Sequence, residues 1–169
     1  IWKHIKDFPE IYTYSRDAGS LNALIIPSMR NIDFDLGFNV DRDKLNMYMN
    51  KLNDVHCLLE TSFGYTGVSI KIPLERDRRL DMDIKEIVWD HEEQEWMHNW
   101  KKYTDYLDIL PEKTRNQKKT EQRYNTFLVF HSGKVIFSGL TYELMIDTYY
   151  KFSGIMENAF GSIEERLEK

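Results

Sequence analysis

The chain has 169 residues, of which 41% are apolar and 14% aromatic, and a formal net charge of −5. This length allows one elaborated domain or two very small ones, and the acidic balance counts against a uniformly basic nucleic-acid-binding surface. No apolar run approaches the roughly 18 residues of a membrane span, so we expect no membrane partner.

Cysteine usage and the start of the chain give two further expectations. Cys57 is the single cysteine, which excludes an internal disulfide and fits a reducing compartment such as the nucleus or cytoplasm. The chain begins at Ile1 without a signal-peptide pattern, so we expect a fragment or a processed product.

The first part of the chain predicts an arm, a strand and a helix. Residues 1–27 are interpreted as an N-terminal arm or the end of a preceding domain, with a short strand or packed arm at 21–26. Apolar and polar residues alternate over 31–40, which predicts a strand. Asp41 is expected to cap the following helix. The apolar stripe of that helix consists of Leu45, Tyr48, Met49 and Leu52.

Two more strands are predicted at 55–61 and 68–74, followed by an inserted block at 75–123. The connection 62–67 holds two glycines and two aromatics, which fits a bulged hairpin or a functional loop equally well. Within the block we predict a short helix over 80–88, a second helix over 92–110 and a mobile basic loop over 112–123. The second helix would carry Trp96, Trp100, Tyr103 and Leu107.

Residues 124–139 predict a hairpin with two apolar faces. Ser132-Gly133 supplies the positive φ that a tight turn needs. One face holds Phe127, Val129, Val135 and Phe137, and the other holds Thr126, Leu128, Phe130, Ile136 and Ser138. Thr141 is expected to cap a final helix, for which Gly161 fits the C′ position. The charged tail over 162–169 either follows that helix or continues it. Because two helices cover only one face of such a sheet, the second apolar face needs a function.

The element order and several short runs resemble one repeat of the TATA-box-binding protein family. The most specific run is LVFHSGKVIFSG at 128–139, which is similar to the Phe-x-Ser-Gly-Lys hairpin of the second repeat in that family. Arg30-Asn31-Ile32 is similar to the opening of the first strand of the family repeat. Residues 62–72 resemble its Phe-Pro-Gly segment, with Gly67 at the glycine. The resemblance covers about residues 28–74 and 124–161.

The resemblance implies an α+β fold: a curved antiparallel sheet with two helices on its convex face, forming half of a saddle. The repeat would span 28–161, with a helical insertion at 75–123. It also implies a transcription initiation factor that binds and bends A·T-rich promoter DNA through the minor groove. Minor-groove bending by apolar wedges is a known property of that family.

Site residues are carried over by position in the repeat. Phe130 matches one wedge phenylalanine, and Tyr65 or Phe63 matches its partner. Asn31 matches the asparagine that binds base edges. Other positions expected at DNA are Val68, Lys71, Leu128, Lys134, Ile136 and Ser138. Expected partners are promoter DNA, transcription initiation factors or RNA polymerase, and a second repeat from a longer chain or a dimer partner.

Three departures from the family pattern matter, and the first of them, together with the net charge, favours an alternative. Asp33 and Asp35 share a strand face with Asn31, where carboxylates repel phosphates. The second repeat is absent from this chain. The insertion has no counterpart in cellular members, which suggests a protein of a large DNA virus. The alternative function is a protein-interaction module of the same fold that has lost DNA binding and docks transcription machinery.

Other constellations give weaker signals. Glu95 and His98 have helical metal-ligand spacing, but no second pair completes a site, so no metal or other cofactor is expected. No catalytic motif is present, so we do not expect an enzyme. An aromatic cluster in the insertion fits either a small core or a protein-docking surface, and consists of Trp89, Trp96, Trp100 and Tyr103.

Overall fold

The computed structural model describes residues 22–60, 67–90 and 92–165, except the side chains of Asn22 and Glu60. The fold is α+β, with two antiparallel sheets and five helices in these ranges. No helix in the described part of the chain is both long and apolar enough to cross a membrane.

The described elements follow one another in thirteen segments. In chain order they are β1 (Asn22–Ile25), β2 (Arg30–Asp35), α1 (Arg42–Met49), β3 (His56–Glu60), β4 (Gly67–Pro73), α2 (Arg76–Leu80), β5 (Asp83–Asp90), β6 (Glu95–Lys102), α3 (Tyr103–Asp108), α4 (Glu112–Thr120), β7 (Tyr124–Phe130), β8 (Lys134–Gly139) and α5 (Tyr142–Ile163).

The chain divides into two compact units. One consists of residues 1–26 and 80–119, and the other of residues 27–79 and 120–169. The boundaries at 79/80 and 119/120 lie close to the predicted ends of the insertion. Strand β1, which lies at the end of the predicted N-terminal arm, belongs to the same unit as the insertion because it pairs with β5.

The larger unit contains a five-stranded antiparallel sheet in the order β2-β8-β7-β4-β3. Helices α1 and α5 both pack on one face, as predicted from their apolar stripes. The rings of Phe127 and Phe137 stack at 4.1 Å between centroids, and Phe152 of α5 stacks on Phe127 at 3.9 Å. Two strands and the long helix are therefore joined through three parallel rings.

Local capping agrees with the sequence pattern at two helix starts and disagrees at one helix end. Asp41 Oδ1 accepts a hydrogen bond from the Lys44 backbone N–H at 3.0 Å, and the Thr141 hydroxyl accepts from the Leu144 N–H at 3.4 Å. The prediction that Gly161 is the C′ residue of the last helix is wrong. Helix α5 continues to Ile163, because Ile163 is fully buried and extends the apolar stripe by another turn.

The tight turn between β7 and β8 depends on Gly133. Its φ is +82°, and an added Cβ would lie 2.3 Å from the carbonyl oxygen of Phe38. Strand β2 is shorter than the predicted 31–40, because the chain turns at Gly37. Gly37 adopts a φ of +81° and donates its N–H to Asp35 Oδ1 at 2.8 Å, which turns the chain after Asp35.

The smaller unit contains a three-stranded sheet in the order β1-β5-β6. The predicted helices over 80–88 and 92–110 are wrong for most of their length, since Asp83–Asp90 and Glu95–Lys102 form a hairpin. Trp96 and Trp100 are four residues apart, a spacing that puts side chains on one face in either a helix or a strand. Only α3 remains of the second predicted helix. The insertion is therefore mixed rather than helical.

The basic segment predicted as a mobile loop is also different in the structure. Glu112–Thr120 forms helix α4, which has no buried residue. A helix that is polar on every side has no apolar stripe, so the hydrophobic period could not reveal it. Pro111 stands just before the helix, a position that suits a helix start, and its carbonyl accepts from the Arg115 N–H at 2.9 Å.

Candidate nucleic-acid interface

The five-stranded sheet has a second face that the two helices leave uncovered, and we call it the open face. Strand alternation sends every other side chain to this side, away from the core. Described side chains on the open face are Asn31, Asp33, Asp35, His56, Leu58, Ser69, Lys71, Pro73, Tyr124, Thr126, Leu128, Phe130, Lys134, Ile136 and Ser138.

Strand register arranges these side chains in rows across the sheet. The first row starts with Asn31 opposite Ser138, continues through Thr126 and Lys71, and ends at His56. It presents an amide, two hydroxyls, an ammonium group and an imidazole. Such a row can donate hydrogen bonds to acceptor atoms along one line.

The second row is apolar at its centre and acidic at one end. Asp33 lies opposite Ile136, followed by Leu128, Ser69 and Leu58. The side chain of Leu58 is 61% exposed, whereas Ile136 and Leu128 are half-buried among their neighbours. The middle of the open face is thus an apolar strip beside polar rows.

Near Phe130, the backbone of Gly67 lies close to the side chain of Leu128, so the apolar strip projects little from the sheet. Gly67 lies opposite Phe130, and a Cβ on Gly67 would come within 2.6 Å of the Leu128 Cδ1 atom. Leu128 therefore fills the space that a side chain at position 67 would take. The half-buried ring of Phe130 stands at the end of this strip.

A cavity of about 700 Å³ opens where β2 meets the β7–β8 hairpin. Its lining combines carboxylates, one ammonium group and apolar side chains, and includes Asp33, Phe34, Asp35, Phe130, Ser132, Lys134, Val135 and Ile136. Asp35 already accepts the Gly37 N–H, so one of its oxygens supports the backbone turn. Asp33 has no such described bond, which leaves its carboxylate directed at the open face.

Of the described residues that were predicted to contact DNA, all but one lie on the open face. Val68 was expected on the open face, but it is 0% exposed in the helix-covered core, opposite Val129. Val68 and Lys71 are three residues apart, so a strand puts them on opposite faces. Ser69 takes the open-face position instead. Phe63 and Tyr65 lie outside the described residues.

Five described open-face residues were missed in the sequence analysis. They are His56 and Leu58 of β3, Ser69 and Pro73 of β4, and Tyr124 of β7. The signal was present, because Ile70 and Ile72 are apolar and alternate with Ser69 and Lys71. Following that period backwards from Ile72 would have identified Ser69 and pointed through pairing to Leu58.

The predicted docking aromatics in the smaller unit separate into exposed and buried side chains. Trp89 and Trp96 face each other across β5 and β6, with ring centroids 5.1 Å apart. Trp100 lies on the same sheet face and is 71% exposed. Tyr103 differs from them and fits the small-core interpretation of the cluster rather than the docking one. It is only 5% exposed, because it begins α3 and packs against Tyr106 inside the unit.

Comparison with known proteins gives no match: no family model, curated protein or solved structure is significantly similar to the chain.

The assignment of the two sheet faces predicts a difference in stability between two truncations. Val68→Ala removes buried methyl groups and should lower the free energy of unfolding by about 2 kcal/mol. Leu58→Ala removes a larger side chain from the open face and should change it by less than about 0.5 kcal/mol. Urea denaturation measures both, and equal losses would contradict the assignment.

Proposed function

We propose that the chain is a transcription initiation domain that binds and bends A·T-rich promoter DNA in the minor groove through its open face. The observation that carries this proposal is the apolar strip of Leu128 and Ile136, left uncovered beside a row of amide and hydroxyl groups. An apolar strip of this kind suits a widened groove with partly unstacked bases.

Each of the open-face residues below has a proposed role in DNA binding that follows from its chemistry. Phe130, at the end of the strip, is the proposed wedge between two base steps. Asn31 and Ser138 are directly opposite each other and would bind acceptor atoms at base edges. Lys71 and Lys134 are both exposed on the open face and would contact phosphates, which supply most of the salt-dependent affinity.

The carboxylates of Asp33 and Asp35 oppose this binding. Both lie on the edge strand β2, and Asp35 is opposite Lys134, which offsets part of its charge. The remaining repulsion lowers the affinity of this lobe for DNA. A second repeat, from a longer chain or a dimer partner, would add the contacts that a single lobe lacks. We propose promoter DNA and initiation factors or RNA polymerase as partners, in the nucleus or cytoplasm, or in the host cell or virion if the protein is viral.

Removal of the wedge ring should weaken both binding and bending. Phe130→Ala should reduce affinity for an A·T-rich duplex by about tenfold, equivalent to about 1.4 kcal/mol, and decrease the bend angle. Fluorescence anisotropy and end-to-end energy transfer measure the two quantities. Tyr150→Ala is the matched control, because it removes a 66% exposed ring from α5 on the helix side. Unchanged affinity and bend in Phe130→Ala would rule out the wedge role.

A second candidate function is protein docking, and the position of Asp33 favours it. Its carboxylate lines the 700 Å³ cavity together with Asp35 and Phe130, a combination that suits a basic side chain of a partner protein. In this function the open face would hold an initiation factor or polymerase subunit in place of DNA.

One substitution separates the two candidates. Asp33→Asn removes a charge that repels phosphate, so the DNA-binding function predicts about a fivefold gain in duplex affinity, from about 1 kcal/mol of repulsion in water. The docking function predicts a loss of binding to purified polymerase or initiation factor instead. Asp43→Asn, on the exposed first turn of α1, is the control for net charge.

A further inference from the structure

Strand β6 lies at one edge of the three-stranded sheet, and it is exposed on both of its faces. All eight of its residues, Glu95–Lys102, are exposed, so neither face of the strand is covered. Among the described strands β6 pairs only with β5, which leaves its other edge without a described partner. Open edges with large apolar side chains tend to pair with another strand.

The sequence of β6 is complementary to itself when read in the antiparallel direction about His98. In that register, side chains directly opposite each other lie on the same sheet face. Trp96 then faces Trp100 of the second copy, Met97 faces Asn99, and His98 faces its own equivalent. The ends match in charge, because Glu95 faces Lys101.

The tryptophan pairs and the Glu95–Lys101 pairs both fall beside side chains of the same kind in the three-stranded sheet. Trp96 and Trp100 are on the same face as Trp89, so two copies would join their tryptophans into one continuous aromatic surface. Cross-strand aromatic pairs stabilise antiparallel strands. Lys101 already binds the buried carboxylate of Glu86 at 2.7 Å, on the face where Glu95 of the second copy would arrive.

Other registers lose these pairs. A shift of the second copy by two residues in one direction places Trp96 opposite Lys102 and Lys101 opposite Met97. The opposite shift places Trp96 opposite His98 and Glu95 opposite Asn99. Only the register centred on His98 has both the aromatic pairs and the opposite charges.

We propose that β6 is a self-association edge, through which two copies of this chain pair antiparallel about His98 into one six-stranded sheet. The occupant of the exposed tryptophan face is therefore a second copy. One strand pair buries less surface than a standard protein interface, so the dimer is concentration-dependent. This inference is independent of the proposed DNA binding, which uses the other unit.

Cysteine cross-linking tests the register directly. His98→Cys puts two thiols opposite each other with Cα atoms about 5 Å apart, within the range for a disulfide. Met97→Cys is the matched control, because its equivalent is displaced by two residues along the strand, about 7 Å, and lies too far away. Burial raises the pKa of the native Cys57 thiol to about 11, so its background reaction at pH 8 is slow, and the wild-type chain measures it.

Under mild oxidation, His98→Cys should form a disulfide dimer at least about tenfold faster than Met97→Cys, as judged by non-reducing electrophoresis. Equal rates, a faster Met97→Cys reaction, or no disulfide dimer from the folded His98→Cys chain would overturn the proposal.

Analytical ultracentrifugation gives an independent readout without cysteines. The wild-type chain should shift from monomer to dimer as concentration rises, and Trp100→Thr should raise the dissociation constant at least about tenfold. Ile109→Thr is the control, because Ile109 is 70% exposed in the same unit but lies outside β6. A wild-type chain that stays monomeric at all concentrations, or equal effects of both substitutions, would contradict the dimer.

Discussion

The stack of Phe127, Phe137 and Phe152 is the interaction on which the larger unit depends. These three rings join two central strands to the long helix at centroid distances near 4 Å. Because strand side chains alternate, burying these rings on one side directs Thr126, Leu128 and their neighbours to the other. The uncovered face is thus a consequence of how the core is closed.

The composition of the open face is the basis of the proposed function. Its central residues are apolar although neither helix covers them, and its outer rows are polar or charged. An apolar sheet face that serves only as surface is uncommon, since most antiparallel sheets present a polar side to water. This is why we propose a ligand for the face, and the combination of apolar strip, amide and hydroxyl row, and flanking lysines is why we propose DNA. Asp33 is the feature that opposes this choice.

The larger unit was largely predictable because its signals are local and unambiguous. Asp41 and Thr141 are N-cap residues placed just before apolar stripes, and Ser132-Gly133 marks a tight turn between two alternating segments. Val68 and Lys71 were both carried over by position from the family repeat, although residues three apart in a strand lie on opposite faces. The period of two, applied from Ile70 and Ile72, would have placed Val68 in the core.

The insertion was less predictable for physical reasons. Trp96 and Trp100 share a face in a helix and in a strand alike, so their spacing could not decide between the two structures. Strand pairing with β1 and β5 decided it, and those contacts join segments far apart in the chain. Helix α4 lacked any apolar period, and the self-complementary order of β6 became meaningful only once it was an exposed edge strand.

Binding of the wild-type chain to DNA tests the central claim most directly. Anisotropy titrations would compare an A·T-rich promoter duplex with a scrambled duplex of the same composition, each at two salt concentrations. A groove-binding open face predicts preference for the promoter sequence and a steep loss of affinity with salt, because Lys71 and Lys134 would release counterions from phosphates. Equal binding of the two duplexes, or no binding by a folded chain, would contradict it.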